Sequence, residues 1–589
     1  MCGILACISV NNINQNSLQK GLDNMISRGP DNIGIWKTEN IFLGHRRLSI
    51  IDVEARSSQP MLSNCGNYVI IFNGEIYNYL ELRKILISKG IELKTNSDTE
   101  VILEFFKLEK EQILSKLKGM FAFLIWDIGE RKAFIARDPY GIKPLYIGQN
   151  DSDLIIASQV KAILATGLIS NEINPVAQAK YWILGSVPEP QTWYKKINAI
   201  ESGSYIWIKN NEIIEKKIWC NINKFWLNAE FYNQNNKKYI LIKHIRKYML
   251  ESLSRHLVAD VPIGLFLSGG IDSGVLAALM SELGIKNIVG VTIAYKEFEN
   301  SHHDESIMAS KIASFYGIKH HIRYVTKDEF NEDLPKILLA MDQPSIDGVN
   351  TWFASKAVSE LGLKVVLSGV GGDELFMGYE TFKTLPFLVK FWRLIKKVPF
   401  SNYIIKPFFL LLSKFYNNNR WLDANDLLNS IAGAWLLKRS INSIKSISNF
   451  TNIKSYQLDI DKYNFSTLVN SMTGERPKDM NLQLAQIESM TYLRNQLLRD
   501  SDWASMAHSV ELRTPFVDVT LLENMTPILK QFKKYPNKLL LANTPSKPLP
   551  KEITHKQKTG FSIPIKEWLS TNELYSQKWQ TVVSDNYML

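Results

Sequence analysis

Cysteine is scarce in this chain. Cys2, Cys7, Cys65 and Cys220 are the four among 589 residues, and none pairs as CxxC. That leaves neither a disulfide framework nor a structural zinc ribbon, and it fits a reducing, cytoplasmic setting. Long apolar runs are also missing: no uninterrupted stretch nears the roughly 18 residues a membrane helix needs. No basic residues precede the apolar run Ile4–Val10, so no signal peptide is expected. The nearest approach to a long run, Phe387 to Tyr416, is broken by Lys390, Arg393, Lys396, Lys397, Pro399, Lys406 and Pro407. It reads as a pair of partly buried helices, with a basic membrane-surface face as the lesser reading. Excess charge is small, +11, and no RRM-like, zinc-finger or helix-turn-helix pattern accompanies it, so nucleic acid is not expected as a partner. No internal repeat is visible. With 45% hydrophobic and 22% charged residues, wholly disordered, collagen-like and disulfide-stapled classes are excluded, and the length allows several domains.

What is present divides at an Asn-heavy stretch, residues 221–238. Before it, runs of β-branched and aromatic residues bounded by Gly or Asn predict strands within Gly66–Asn78, Gly119–Asp127, Ala133–Gly148 and Asp153–Ser158. Helices are predicted over Asn78–Lys89 and near Asp98–Leu108. This is β-rich α+β order. After the Asn-heavy stretch the pattern changes. Lys238–Leu257 reads as helix, and Val261–Gly270 as a buried strand entering a Gly turn and then a helix. Asn287–Tyr295 is a second strand, His303–Gly317 a helix, and Leu363–Phe376 another strand and loop. Such alternation predicts a parallel α/β sheet, with mostly helix beyond it. The expected division is 1–205, a linker over 206–238, and 239–589.

Cys2 directly follows Met1. Removal of Met1, which a small second residue permits, gives Cys2 both a thiol and a free α-amine. The amine's reference pKa of about 7.7–8.0 suits a base near neutrality. A thiolate is the nucleophile, and a base on the same residue needs no partner from elsewhere. Behind Cys2, in order, come RGPD (Arg28–Asp31), GHRRLSIID (Gly44–Asp52), FNGEIYN (Phe72–Asn78), SDTE (Ser97–Glu100) and RDPYGIKPLY (Arg137–Tyr146). Taken singly, Arg47 reads equally as a surface ion pair, Asn73-Gly74 as a hairpin turn and Asp98 as a helix N-cap. As an ordered set behind Met-Cys-Gly, they resemble the glutaminase domain of the class II, N-terminal-nucleophile amidotransferases, over about the first 200 residues. The resemblance implies glutamine hydrolysis at Cys2. Glutamine is zwitterionic, so its carboxylate wants an Arg and its ammonium wants carboxylates. By motif match Arg47 takes the first role, ahead of its neighbour Arg46, and Glu75 and Asp98 take the second. Asn73 and the Gly74 backbone N–H are the implied oxyanion donors at the bound glutamine.

A second constellation lies further on. Ser268-Gly269-Gly270-Ile271-Asp272-Ser273 follows a buried strand and opens a helix, which presents backbone N–H groups and hydroxyls to phosphates. No Walker loop is present. Asp272 places negative charge where an anion should bind, which is sensible with a bridging Mg²⁺; the plainer reading is a Gly-rich turn with an Asp cap. SGGIDS resembles the loop of the ATP pyrophosphatase superfamily, and Ser368–Glu374 (SGVGGDE) resembles the matching motif of the asparagine synthetases. These resemblances imply ATP contacts from Ser268, Gly269, Gly270, Asp272 and Ser273, with Ser368 and Gly369 beside the nucleoside. They also imply that Asp373 shares Mg²⁺ with Asp272. Phe266 and Ile293 would flank the adenine, with core packing as the other reading. Arg499–Asp518 and Lys556–Trp568 match the same family, and Lys558 falls on the lysine that stabilises charge at adenylation. His302-His303 and His320-His321 lack metal-ligand spacing.

From Met1 to about Trp568 the chain resembles the glutamine-hydrolysing asparagine synthetases. The implied fold is an α+β N-terminal-nucleophile domain of layered antiparallel sheets and helices, followed by an α/β parallel-sheet domain with a largely helical C-terminal part. The implied reaction takes ATP, aspartate and glutamine to AMP, pyrophosphate, asparagine and glutamate, with an enclosed path for ammonia between two sites. One departure stands out. The synthetases usually carry an acidic residue at the position of Val370. In addition, Met341–Phe353 (MDQPSIDGVNTWF) looks more like the amidotransferases of surface-polysaccharide gene sets. The alternative acceptor is therefore a uronic acid or another carboxylate. The acceptor, the oligomeric state (a homodimer included) and any membrane proximity stay open.

Overall fold

Strand β1 (Gly3–Ser9) is buried along its whole length. At period two, Ile4, Ala6 and Ile8 point to one face and Leu5 and Cys7 to the other, and the two sets join different cores. A strand buried on both faces must lie inside a stack of layers. The computed structural model shows that stack; it describes residues 2–588 apart from 300, 302, 399–406, 408, 412, 414–418, 452–468, 470–473, 537, 556–562, 565–567 and 569–574.

β1 belongs to an antiparallel sheet with β2 (Asn32–Lys37), β3 (Ile41–Arg47), β8 (Tyr146–Gln149), β9 (Asp153–Ala157) and β10 (Ile197–Ala199), in the order β10-β8-β9-β1-β3-β2. A second antiparallel sheet holds β4 (Met61–Leu62), β5 (Tyr68–Ile76), β6 (Gly119–Asp127), β7 (Lys132–Arg137), β11 (Ser204–Lys209) and β12 (Glu212–Ile218), in the order β12-β11-β7-β6-β5-β4. The two sheets face each other through Ile4, Leu43, Val69, Ile71, Leu124 and Ile135. Leu82, Phe105 and Phe106, on helices Tyr79–Ser88 and Asp98–Glu109, cover the outer face of the second sheet. Leu18, Leu22, Val160 and Ile163, on helices Gln15–Asp23 and Val160–Ala165, cover that of the first. Each fully buried Leu, Ile or Phe contributes about 1.5–3 kcal/mol to this four-layer stack.

β6 and both helices lie where the sequence pattern puts them. Two spans differ. Ala133–Gly148 is two strands in different sheets, β7 and β8. They are separated by a turn in which the Asp138 carboxylate accepts the N–H groups of Tyr140, Ile142 and Lys143. Residues 206–218, expected as linker, form most of β11 and all of β12, so the sheet of the first unit runs on to Ile218. β12 (EIIEKKI) is an edge strand that buries no residue, and this removes the apolar alternation that marks a strand. Helix Asn223–Ala229 follows inside the Asn-heavy stretch, seated by buried Trp226.

A parallel sheet begins at β13 (Ile263–Phe266) and continues with β14 (Val289–Tyr295), β15 (Lys319–Val325), β16 (Val365–Leu367) and β17 (Glu511–Arg513). Its order is β15-β14-β13-β16-β17. The chain winds outward from β13 to β15 and then returns to the other side of β13 for β16. The strand order therefore reverses between β13 and β16, where open α/β sheets bind ligands beyond the carboxyl ends of their strands. The described residues beyond β16 are mostly helical. His320, on edge strand β15, hydrogen-bonds the hydroxyls of Thr292 (2.8 Å) and Ser310 (3.2 Å), which gives it a structural place.

Candidate active sites

β5 sets the first site. Tyr77, just past its end, donates its N–H to Lys118 on the β6 side. The alternate residues turn the other way. Phe72 N–H donates to Gln59 Oε1 (2.7 Å), and Ile76 N–H donates to the Asp98 carboxylate (3.0 Å). Gly74 lies between them on the same open edge, so its N–H faces outward from the sheet. A Cβ at this position would run into the Met120 carbonyl, so only glycine fits.

Cys2 reaches this edge from the opposite sheet. Its backbone N–H donates to Asn73 Oδ1 at 3.0 Å, and Arg28 Nε donates to its carbonyl at 3.2 Å. Asn73 Nδ2 and Glu75 Oε2 are buried with no hydrogen-bond partner among the described residues. Leaving a buried amide and a buried carboxylate oxygen unpaired is costly unless a ligand completes them. Arg47, the last residue of β3, donates to the carbonyls of Ile51 (3.4 Å), Asp52 (2.6 Å) and Glu54 (2.9 Å), which hold its guanidinium in place. Arg46 points the other way, to the Leu22 carbonyl and the Asp23 carboxylate. Ser97, not Asp98, caps its helix, accepting the Glu100 N–H. Asn73-Gly74 lies within a strand, not in a hairpin turn.

Burial pushes the Cys2 thiol up, and Arg47 is among the positive charges that oppose this. Burial also raises Glu75, helped by Glu511. Asp98 is pushed up to about 6 by burial, against the N–H groups of Ile76 and Thr99. The fold thus gathers Cys2, Arg47, Asn73, Gly74, Glu75 and Asp98 at one end of the two-sheet stack.

The second site opens where β13 and β16 part. Ser268 N–H donates to Ser273 Oγ (3.1 Å) and Gly270 N–H to Ser268 Oγ (3.2 Å), closing the Ser268–Ser273 loop on itself at the start of helix Ile271–Glu282. The loop after β16 touches it: side chains at Gly369 or Gly372 would strike Asp272. Ser368 N–H donates to the Arg513 carbonyl (2.8 Å) on β17. Phe266 and Ile293, on adjacent strands, both pack into the core of this unit. Lys558 lies outside the described residues, as does His302.

Lys538 is a residue that sequence reasoning missed. Its ammonium is inserted between the Asp272 and Asp373 carboxylates, 2.6 Å from Asp373 and hydrogen-bonded to Asp272. Burial works against the charge, but the two carboxylates outweigh it and hold the lysine firmly protonated. Lys538 sits in a lysine-dense run with Lys530, Lys533 and Lys534, which reads as a solvated face. No local spacing ties it to Asp272, 266 residues away.

Beyond Asp373 lies a buried polar cluster. Tyr379 donates to Glu374 (2.7 Å), and burial together with the Asp373 charge pushes Glu374 up to about 7. Arg439 stacks over the Tyr492 ring at 3.7 Å and pairs with Glu488 at 2.8 Å. Asp347 and Asp500 lie further in; burial raises both, and the Asp347 charge adds to the effect on Asp500.

Helix Arg499–Met506 connects the two regions. Asp502 takes a bidentate bond from Arg28 (2.6 and 3.2 Å), the residue that holds the Cys2 carbonyl. Two positions earlier, Asp500 accepts from Ser345 (2.6 Å). Arg513 makes a second connection. Its Nη2 is 3.6 Å from Glu75, its Nη1 donates to the His256 and Val258 carbonyls, and its own carbonyl holds Ser368.

Comparison with known proteins agrees with this two-part layout. The glutamine amidotransferase domain family matches residues 1–219, and the asparagine synthase family matches residues 244–585. The glutamine-hydrolysing asparagine synthetase 1 of Bacillus subtilis is 32% identical, covering 98% of this chain and 88% of its own. A putative glutamine-hydrolysing asparagine synthetase of Mycobacterium tuberculosis is 31% identical over 95% of this chain and 86% of its own. An amidase of Gibberella zeae, chry2, is 29% identical over 62% of this chain and 56% of its own. Two domain matches in this order, with relatives of this similarity along nearly the whole length, mean that the chain belongs to the asparagine synthase family, as a glutamine-dependent amidotransferase of the asparagine-synthetase type.

Proposed function

We propose that the chain hydrolyses glutamine at Cys2 and delivers the ammonia to an acyl-adenylate made from ATP and aspartate, yielding asparagine, AMP, pyrophosphate and glutamate. With Met1 removed, the nitrogen now bonded to Asn73 Oδ1 is a free α-amine. It takes the thiol proton as sulfur attacks the glutamine carboxamide, and it returns that proton to the departing ammonia. Asn73 Nδ2 and Gly74 N–H receive the oxyanion, and water then releases glutamate from the thioester. Arg47 takes the glutamine carboxylate; Glu75 and Asp98 take its ammonium.

At the second site, Ser268, Gly269, Gly270, Ser273, Ser368 and Gly369 offer N–H and hydroxyl groups to the nucleotide, with Phe266 and Ile293 beside the base. Asp272 and Asp373 suit Mg²⁺: two carboxylates converge on one cationic group, Lys538, in a cradle that glycines keep open. Bound there, Mg²⁺ supplies charge neutralisation at the phosphates. Lys538 adds a buried positive charge beside the leaving pyrophosphate, and resemblance assigns Lys558 a companion role.

The observation that carries this reading is the shared buried interface. Arg28 bonds both the Cys2 carbonyl and Asp502, which sets residue 2 directly against the second unit and supports passage of ammonia from one to the other. A second acceptor class, a uronic acid or another carboxylate, is favoured by the apolar Val370 side chain. The test is pyrophosphate release with MgATP and ammonium, comparing aspartate with a panel of uronic acids. Aspartate-dependent release with asparagine formed is expected. Silence with aspartate alongside release with a uronic acid would transfer the chain to the second class.

A pH profile probes the first site. Asp98 binds an ammonium only when ionised, and its carboxyl is held up to about 6. Glutaminase kcat/KM should therefore fall by about tenfold per pH unit below that value. Asp98→Asn should start low and shift this limb, leaving only the part that Glu75, the other carboxylate raised by burial, contributes. An unchanged limb in the variant would remove Asp98 from the ammonium site.

A further inference from the structure

Helix Thr381–Ile395 and the residues just after it carry two apolar faces where a surface helix needs one. Leu385, Val389 and Trp392 are buried against the protein. At about 100° per residue, Phe387, Phe391, Leu394 and Val398 fall within about 60° of one another on the opposite side. They are 71%, 50%, 62% and 59% exposed, and the rings of Phe387 and Phe391 lie parallel at 6.2 Å. Phe409 packs against Trp392 at 5.4 Å, and the adjacent Leu410 and Leu411 are 50% and 67% exposed. Exposed apolar side chains gathered in this way mark a contact surface.

Charge identifies the contact. Residues 381–398 hold five lysines and arginines and no aspartate or glutamate. Lys390, Arg393 and Lys397 are exposed along one flank of the apolar ridge. An exposed aromatic and leucine ridge with a basic flank is the pattern of a helix lying in a membrane interface. No described helix is long and apolar enough to cross a bilayer. A second copy of the chain is a poor occupant, since a two-fold contact would set the same cations against one another.

We infer that Phe387, Phe391, Leu394 and Val398, with Lys390, Arg393 and Lys397 beside them, dock the protein onto an anionic bilayer surface. The apolar side chains enter the headgroup–acyl boundary and the cations meet lipid phosphates. This inference stands apart from the proposed reaction.

The test floats the full-length protein with vesicles of phosphatidylcholine alone and of phosphatidylcholine mixed with phosphatidylglycerol. Binding at least about tenfold tighter to the mixed vesicles, weakened by added salt, is expected. Phe387→Ser/Phe391→Ser and, separately, Lys390→Glu/Arg393→Glu should each weaken that binding at least about tenfold at an unchanged melting temperature. All four positions are exposed, and the charge pair keeps the test open if the apolar pair perturbs folding. Equal affinity for both vesicle types, or variants that bind like the parent, would overturn the inference. So would a dimer in sedimentation that Phe387→Ser/Phe391→Ser dissociates, which would assign the face to a second copy.

Discussion

Cys2→Ala should lower glutamine-dependent product formation by at least about a thousandfold, with ammonia-dependent pyrophosphate release within about threefold of the parent. No other cysteine can stand in for it. Cys7 belongs to the core on the far face of the first sheet, where burial keeps its thiol protonated; Cys65 is exposed and Cys220 half-buried, both away from the open edge of β5. The substitution also spares the contacts that seat residue 2. Those are made by its backbone, the N–H to Asn73 and the carbonyl to Arg28. The Arg28–Asp502 bridge to the second unit therefore keeps its geometry, and alanine still permits removal of Met1. Parallel assays with glutamine and with ammonium decide the matter. Residual glutamine use would take the nucleophile away from Cys2. Loss of both activities would mean that the two sites cannot be assigned to separate residues as proposed.

The parts of the molecule readable from sequence are those in which local pattern and tertiary role coincide. β6 is an apolar run closed by Asp127 and buried throughout except at Gly119, and pattern alone marks both of its ends. The Ser268–Ser273 loop is legible because a buried strand, glycines and a helix start are consecutive. Other features depend on long-range partners. β17 is three residues long and exists because β16 lies parallel to it. β12 hides its character by lying at a sheet edge. Arg28 reads locally as part of a motif, yet its work is to bond Asp502, 474 positions away. Arg47 and Arg46 are adjacent and chemically alike, and only the strand's alternation sends one toward Cys2 and the other toward Asp23. Lys538 is the clearest case: the charge that answers Asp272 and Asp373 comes from a stretch whose composition points to solvent.

That placement sets up the second large effect. Asp272→Asn should cut pyrophosphate release at least about a hundredfold with either nitrogen source, while glutaminase turnover at Cys2 stays within about threefold. The amide matches the carboxylate in shape, so the cradle around Gly369 and Gly372 still accepts it. Lys538 keeps Asp373 as a partner at 2.6 Å. What is lost is one of the two negative charges proposed to hold a cation against the phosphates. Removing Lys538 instead is a poorer experiment. It removes the cation from between two facing, partly exposed carboxylates and confounds chemistry with folding. The glutaminase arm is informative because the two sites are in physical contact. The loop after β16 hangs by its Ser368 N–H on the Arg513 carbonyl, and the Arg513 guanidinium lies 3.6 Å from Glu75. Unchanged glutamine hydrolysis in Asp272→Asn would mean that this chain of contacts only positions the two units. A fall well beyond threefold would mean that it transmits the state of the ATP loop to the glutamine site, and the sites would have to be treated as one coupled machine.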